Sequence, residues 1–131
     1  MREIKFRGKN IETNEWIFGY LNKQNAENKY YITSPTKSAL YNHCHTVKEE
    51  TIGQYTGLKD KNGKEIYEGD IVKGKDDAEF KEIIGTIEWV DNWAQFVIEA
   101  NQGHYNFIDF RCNGLEIIGN IYDNPELLEE K

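Results

Sequence analysis

The histidines and cysteines of this chain fall mostly into one cluster, His43-Cys44-His45, with His104 and Cys112 far downstream. Residues two apart share a face of a strand, so His43 and His45 could offer two imidazoles to zinc while Cys44 points away. A closed zinc site takes four ligands at recognisable spacing, and neither His104 nor Cys112 sits in a partnering motif. Ordinary loop histidines and no resident metal are the expectation.

The carboxylates form two further constellations. Asp60-Lys61-Asn62-Gly63 has the flavour of a calcium loop, but Leu58 falls where the first Asp belongs and Gly69 where the bidentate Glu belongs. A turn is the better reading. Glu65, Glu68 and Asp70 lie close enough in sequence for acid–base or metal-assisted chemistry. No nucleophile or second ligand set accompanies them, so Asp70 is expected to accept backbone N–H groups of its own turn.

The aromatics are the remaining set, 13% of the residues. Trp89 and Trp93 flank one tight turn, and Tyr55, Tyr67, Tyr105 and Phe107 sit on candidate neighbouring strands. Aromatic-lined grooves of small barrels bind extended peptides, and aromatic faces stack bases or hold cations. Tyr55, Tyr67, Trp89 and Trp93 are therefore the candidate binding surface, weighed against a place in the core for most aromatics.

Hairpins must position these groups. Residues 51 to 72 centre on Asn62-Gly63, a pair suited to a two-residue type I′ turn between Tyr55/Leu58 and Ile66-Tyr67. Gly69-Asp70 then interrupts the second arm as a bulge or corner before Ile71-Val72. Downstream, Ile83, Gly85, Ile87 and Trp89 alternate with Ile84, Thr86, Glu88 and Val90, and a second hairpin follows through Asp91-Asn92 to Ala94, Phe96, Ile98 and Ala100. A third runs from His104–Cys112 through the turn Asn113-Gly114 to Leu115–Tyr122. The fold class is mainly β, with residues 65–122 curling into a partly closed SH3-like barrel. An N-terminal β extension, residues 1–50, precedes it with strands at 4–6, 15–21 and 29–33. Trp16, Phe18 and Tyr20 share one face of the second of these and Ile17, Gly19 and Leu21 the other, so this strand is expected to be covered on both sides. Residues 34–47 read as a loop with a helical turn at Ser38–Tyr41, and 74–82 as the best candidate for disorder. Asn124 caps a short C-terminal helix at 124–130 that begins with Pro125, carries Leu127 and Leu128, and would plug the barrel or dock on a partner.

As text, Gly53-Gln54-Tyr55-Thr56-Gly57 followed by Asp60-Lys61-Asn62-Gly63-Lys64-Glu65-Ile66-Tyr67-Glu68-Gly69-Asp70-Ile71-Val72 resembles the signature of the YopX family of phages and prophages. The opening Arg2-Glu3-Ile4-Lys5-Phe6-Arg7 and the close at Ile117–Leu128 are similar to that family too. The sequence departs after Arg7, where Gly8-Lys9 replaces a small residue followed by an aromatic. The resemblance implies a phage or prophage origin and a mainly β fold, with no assigned activity and no catalytic residues to carry over.

A chain of 131 residues suits one domain, and its formal charge of −7 opposes a duplex-binding surface. The lysine-rich stretch Lys59–Lys75 is nearly balanced by its own acids. No apolar run exceeds three residues, so no membrane span or secretory core is read here, and a cytoplasmic protein with reduced cysteines is expected. The expected function is a non-enzymatic module without cofactors that forms homo-oligomers or binds a host or phage protein. A single-strand nucleic-acid factor is the alternative, and a metal-dependent hydrolase ranks last.

Overall fold

The structure, a computed structural model, describes residues 3–24, 26–34, 43–75, 82–100, 103–106 and 114–128. Most of these lie in strands, as the β-branched and aromatic content favours. The chain divides into two compact units, Met1–Tyr55 and Thr56–Lys131.

In the first unit β1 (Phe6–Lys9), β2 (Trp16–Gln24), β3 (Lys29–Ser34), β4 (His43–Val47) and the start of β5 (Gly53–Lys59) form an antiparallel sheet. Its strand order is β4-β3-β2-β1-β5. Alternation sends Gly8, Ile32 and Val47 to a buried face, where a Cβ on Gly8 would lie 3.1 Å from that of Val47. The other face carries Arg7 and Lys9, partnered across the ladder with Phe18 and Trp16. Both cations are buried, with the Arg7 guanidinium 4.5 Å from the centre of the Trp16 ring. Backbone bonds from Ile11 N–H to Thr46 and from Lys48 N–H to Lys9 tie β4 to the chain after β1.

Two expectations change in this unit. His43–Val47 is a strand and not a loop, because its register against β3 is set by the backbone ladder rather than by an apolar pattern of its own. Phe18 and Tyr20 are 45% and 59% exposed, so β2 is not covered on both faces at these residues. The helical turn at Ser38–Tyr41 lies outside the described residues.

In the second unit the remainder of β5 neighbours β6 (Glu65–Tyr67). A second antiparallel sheet holds β7 (Asp70–Lys75), β8 (Glu82–Val90), β9 (Gln95–Ala100), β10 (Gly103–Tyr105) and β11 (Glu116–Asn120) in the order β10-β9-β8-β7-β11. Ile66, Val72, Ile83, Ile87, Ile98 and Leu115 form its core. Ile83, Gly85 and Ile87 of the alternating set in β8 are buried, whereas Trp89 of that set is exposed and Thr86 of the other is buried. Gly69, at φ +92°, turns the chain from β6 into β7, and its N–H and carbonyl are held by Ile87 O and Ile121 N–H. The corner read at Gly69-Asp70 is thus a turn between two sheets.

The turn at Asn62-Gly63 differs in kind from the expectation. Gly63 has φ +83° whereas Asn62 does not enter the positive region, and Asp60 N–H bonds Lys64 O while Gly63 N–H bonds Asp60 O. That is a three-residue loop closed by a glycine bulge, not a type I′ pair.

The expected partly closed barrel is, among the described residues, an open order with β10 and β11 at opposite edges. The C-terminal helix is a single 3₁₀ turn, Pro125–Leu128, with Leu127 and Leu128 more than a third exposed. Asn124 does not cap it as expected, since its side-chain oxygen turns back to accept Asn120 N–H at 3.3 Å. No helix among the described residues is long and apolar enough to cross a membrane. Asn113, Cys112, Phe107, Glu129, Glu130 and most of the 74–82 loop fall outside the described residues.

Candidate functional site

The largest exposed aromatics of the second unit lie at the β8–β9 tip. Strand β8 ends at Val90, Asp91–Trp93 form a 3₁₀ turn, and Ala94 takes the left-handed conformation at φ 49° before β9 begins. Trp89 is 43% exposed and Trp93 56%. Neither ring hangs free. Trp89 packs edge-on against its cross-strand partner Phe96, centroids 5.0 Å apart, while its Nε1–H donates to Asp91 Oδ1 at 2.7 Å. Trp93 meets the His104 ring edge-on at 5.8 Å, and Gln95 Nε2 donates to Asn106 Oδ1 at 2.6 Å beside it.

From Trp93 a charged face follows by register. His104 on β10 is the cross-strand partner of Glu99 on β9, and Glu99 shares a hydrogen bond with Glu88 on β8. All three are exposed. The hydrogen bond to Glu99, then burial, then the charges of Glu99 and Glu68 raise the Glu88 pKa from 4.5 to about 7.

The folded chain holds the Glu88 proton more tightly than the unfolded one, so the stability it contributes is full below about pH 4.5 and lost as pH rises to about 7. Thermal melts of Glu88→Gln should therefore run a few degrees above the parent at pH 8, the gap closing at pH 4. A constant gap across that range would remove the shared proton from the account.

The other sequence candidates are placed differently. Tyr55 and Tyr67 are only 6% and 2% exposed, so they are core residues and not part of an exposed aromatic surface. Lys5 Nζ lies 5.4 Å from the Tyr55 ring, and Tyr67 OH donates to Glu65 Oε1 at 3.2 Å. Asp70 is buried and its Oδ2 accepts Tyr67 N–H at 2.8 Å, the turn role read from the sequence. The Asn10 amide bonds His45 Nδ1 at 3.3 Å, and Cys44 is an exposed free thiol. His104 lies in the second unit against Trp93, and the His43 side chain is outside the described residues.

Sequence reasoning missed two features. Asp60 accepts Asn62 and Lys64 N–H on Oδ1 and Ile117 N–H on Oδ2, at 2.9, 2.9 and 3.0 Å. Its burial alone would raise the pKa, but those three backbone donors and the Lys64 charge bring it below the ordinary value. An Asp two residues before an Asn-Gly is the signal that could have found the tip contacts. The second feature is the division of charge. Residues 1–55 carry eight Lys and Arg against six acids, and residues 56–131 carry eight against seventeen. The first unit also presents Phe18 and Tyr20 beside a cleft of about 200 Å³ lined by Glu3, Lys5, Gly19 and Ser34.

Comparison with known proteins gives three findings. A family model described as YopX protein matches residues 5–129. The crystal structure of protein EF1440 from Enterococcus faecalis is similar in fold, with a TM-score of 0.60 and 26% identity over 98% of this chain and 100% of that one. No curated protein matches the sequence.

Proposed function

Because the chain belongs to the YopX family, we propose that it is a non-enzymatic interaction module of phage or prophage origin, acting in the bacterial cytoplasm and joining a protein partner or a second copy through the β8–β9 tip. One observation carries this reading: Trp89 and Trp93 are held in fixed poses by Asp91, Phe96 and His104, yet stay 43% and 56% exposed. A rigid, exposed tryptophan contributes large contact area at little cost in side-chain entropy, which is why tryptophans dominate binding hot spots. The non-enzymatic half of the proposal is supported by the carboxylates. Asp60 spends both carboxylate oxygens, and Asp70 its Oδ2, on backbone N–H groups at the conspicuous turns. The return of β11 to the side of β7 supports an SH3-like curl of the second unit as the frame for this tip.

The alternative, a single-strand nucleic-acid factor, is supported by the more basic first unit and by Phe18 and Tyr20 beside Lys5. One experiment separates the two. Light scattering after size exclusion, with affinity capture from the producing cells, is expected to give an oligomer or a retained protein that Trp89→Ala/Trp93→Ala loses at least tenfold. A strict monomer that retains no protein, or a tryptophan variant that behaves as the parent, would overturn the reading. Saturable binding of a labelled oligothymidine at low salt by that monomer would install the alternative.

A further inference from the structure

The exposed Trp93, linked through His104 to a pair of carboxylates, says what kind of partner the surface suits. Trp93 contacts His104, His104 stands across the ladder from Glu99, and Glu99 is hydrogen-bonded to Glu88. An aromatic face beside two adjacent carboxylates matches a long cationic side chain, whose methylenes lie on the ring while its charged head reaches the acids. The unit supplies the long-range field as well, with eight basic residues against seventeen acidic ones from position 56 onward. That field repels phosphate, so nucleic acid is the wrong occupant for this face.

We infer that the face formed by Trp93, His104, Glu99 and Glu88 is a docking site for a lysine- or arginine-rich peptide segment of a partner protein. This rests on the interaction reading above and names the chemistry of its partner. Glu88 and Glu99 crowd each other, and with Glu68 nearby each added negative charge is opposed by the others. A cation placed between them relieves that repulsion, so the arrangement that is unfavourable in the free protein becomes favourable in the complex. Trp93 supplies the apolar floor, and the 3₁₀ turn of Asp91–Trp93 holds it at the end of the strands instead of in the core.

The test is a titration of the whole chain with hexa-arginine, hexa-lysine and hexa-glutamate peptides, read by tryptophan emission and by calorimetry. Both basic peptides should bind saturably and the acidic one should not, with affinity falling at least tenfold between 50 and 500 mM salt, as expected for an electrostatic contact. Trp93→Ala and the Glu88→Gln/Glu99→Gln pair should each weaken binding about tenfold, while Trp93→Phe retains most of it. Thermal melts confirm that each variant is folded. Equal binding by Glu88→Gln/Glu99→Gln and the parent, or no saturable signal with either basic peptide, would overturn the proposal. Hexa-arginine also competes in the capture experiment: a tryptophan-dependent partner that it does not displace removes this inference and leaves the interaction reading standing, whereas a strict monomer that captures no partner removes both.

Discussion

Asp60→Ala is expected to lower the unfolding free energy by about 3 to 4 kcal/mol, the sum of lost charged acceptors and stranded donors. The carboxylate joins parts of the chain that lie far apart in sequence. Oδ1 takes the N–H groups of Asn62 and Lys64 across the hairpin loop, and Oδ2 takes Ile117 N–H on β11, 57 residues later. Lys61 N–H reinforces the same junction by donating to Leu115 O at 2.8 Å. Asp60 is only 5% exposed, so water cannot readily replace it at the Ile117 donor. Asp60→Asn keeps one acceptor oxygen and should cost about half as much.

The pH dependence gives an independent check. The folded-state pKa of Asp60 lies below its ordinary value of 3.8, so its stabilising contribution is present above that value and is lost as pH falls through the folded one. Urea unfolding of parent and Asp60→Asn should therefore differ most at neutral pH and converge in acid. A difference that stays constant with pH would mean that Asp60 acts by shape alone.

Why the sequence showed the hairpin and not this junction follows from range. Ile83, Gly85 and Ile87 announce the inner face of β8 because alternation is a property of neighbouring residues. Asn62-Gly63 announces a turn for the same reason, but the loop length depends on Asp60 N–H and Gly63 N–H finding their partners, and a side chain helps to choose between the options. His43–Val47 has no such local signature. It is a strand because β3 offers a ladder and Lys9 and Ile11 hold its end, contacts that lie more than thirty residues upstream for the latter two. The aromatics show a different limit. Period and spacing placed Tyr55, Tyr67, Trp89 and Trp93 on strands or turns, yet which faces are covered is decided by packing, and packing buried the tyrosines and left the tryptophans outside. The candidate face at Glu88, Glu99 and His104 was hidden for that reason too, since only the β8–β9–β10 register brings those residues together.

Gly85→Ala is expected to be the most damaging single-methyl substitution in the second sheet, at about 2 to 4 kcal/mol. Gly85 sits in the middle of β8, between Val72 on β7 and Ala100 on β9. A Cβ there would stand 2.6 Å from Glu99 O and 2.7 Å from Ile98 Cγ2. The first neighbour is backbone inside a ladder and the second belongs to a fully packed core residue, so neither can withdraw without breaking strand pairing or opening a void. Gly63→Ala is the informative control. Nothing lies within 4 Å of its added Cβ, but its φ of +83° penalises any side chain, so it should cost only about 1 to 2 kcal/mol through backbone conformation. Denaturant midpoints of the two variants then separate crowding from backbone strain. Equal losses, or a Gly85→Ala protein as stable as the parent, would mean that β8 and β9 spread apart far more easily than an interior ladder should, and the fixed register that assembles Glu88, Glu99 and His104 would lose its support.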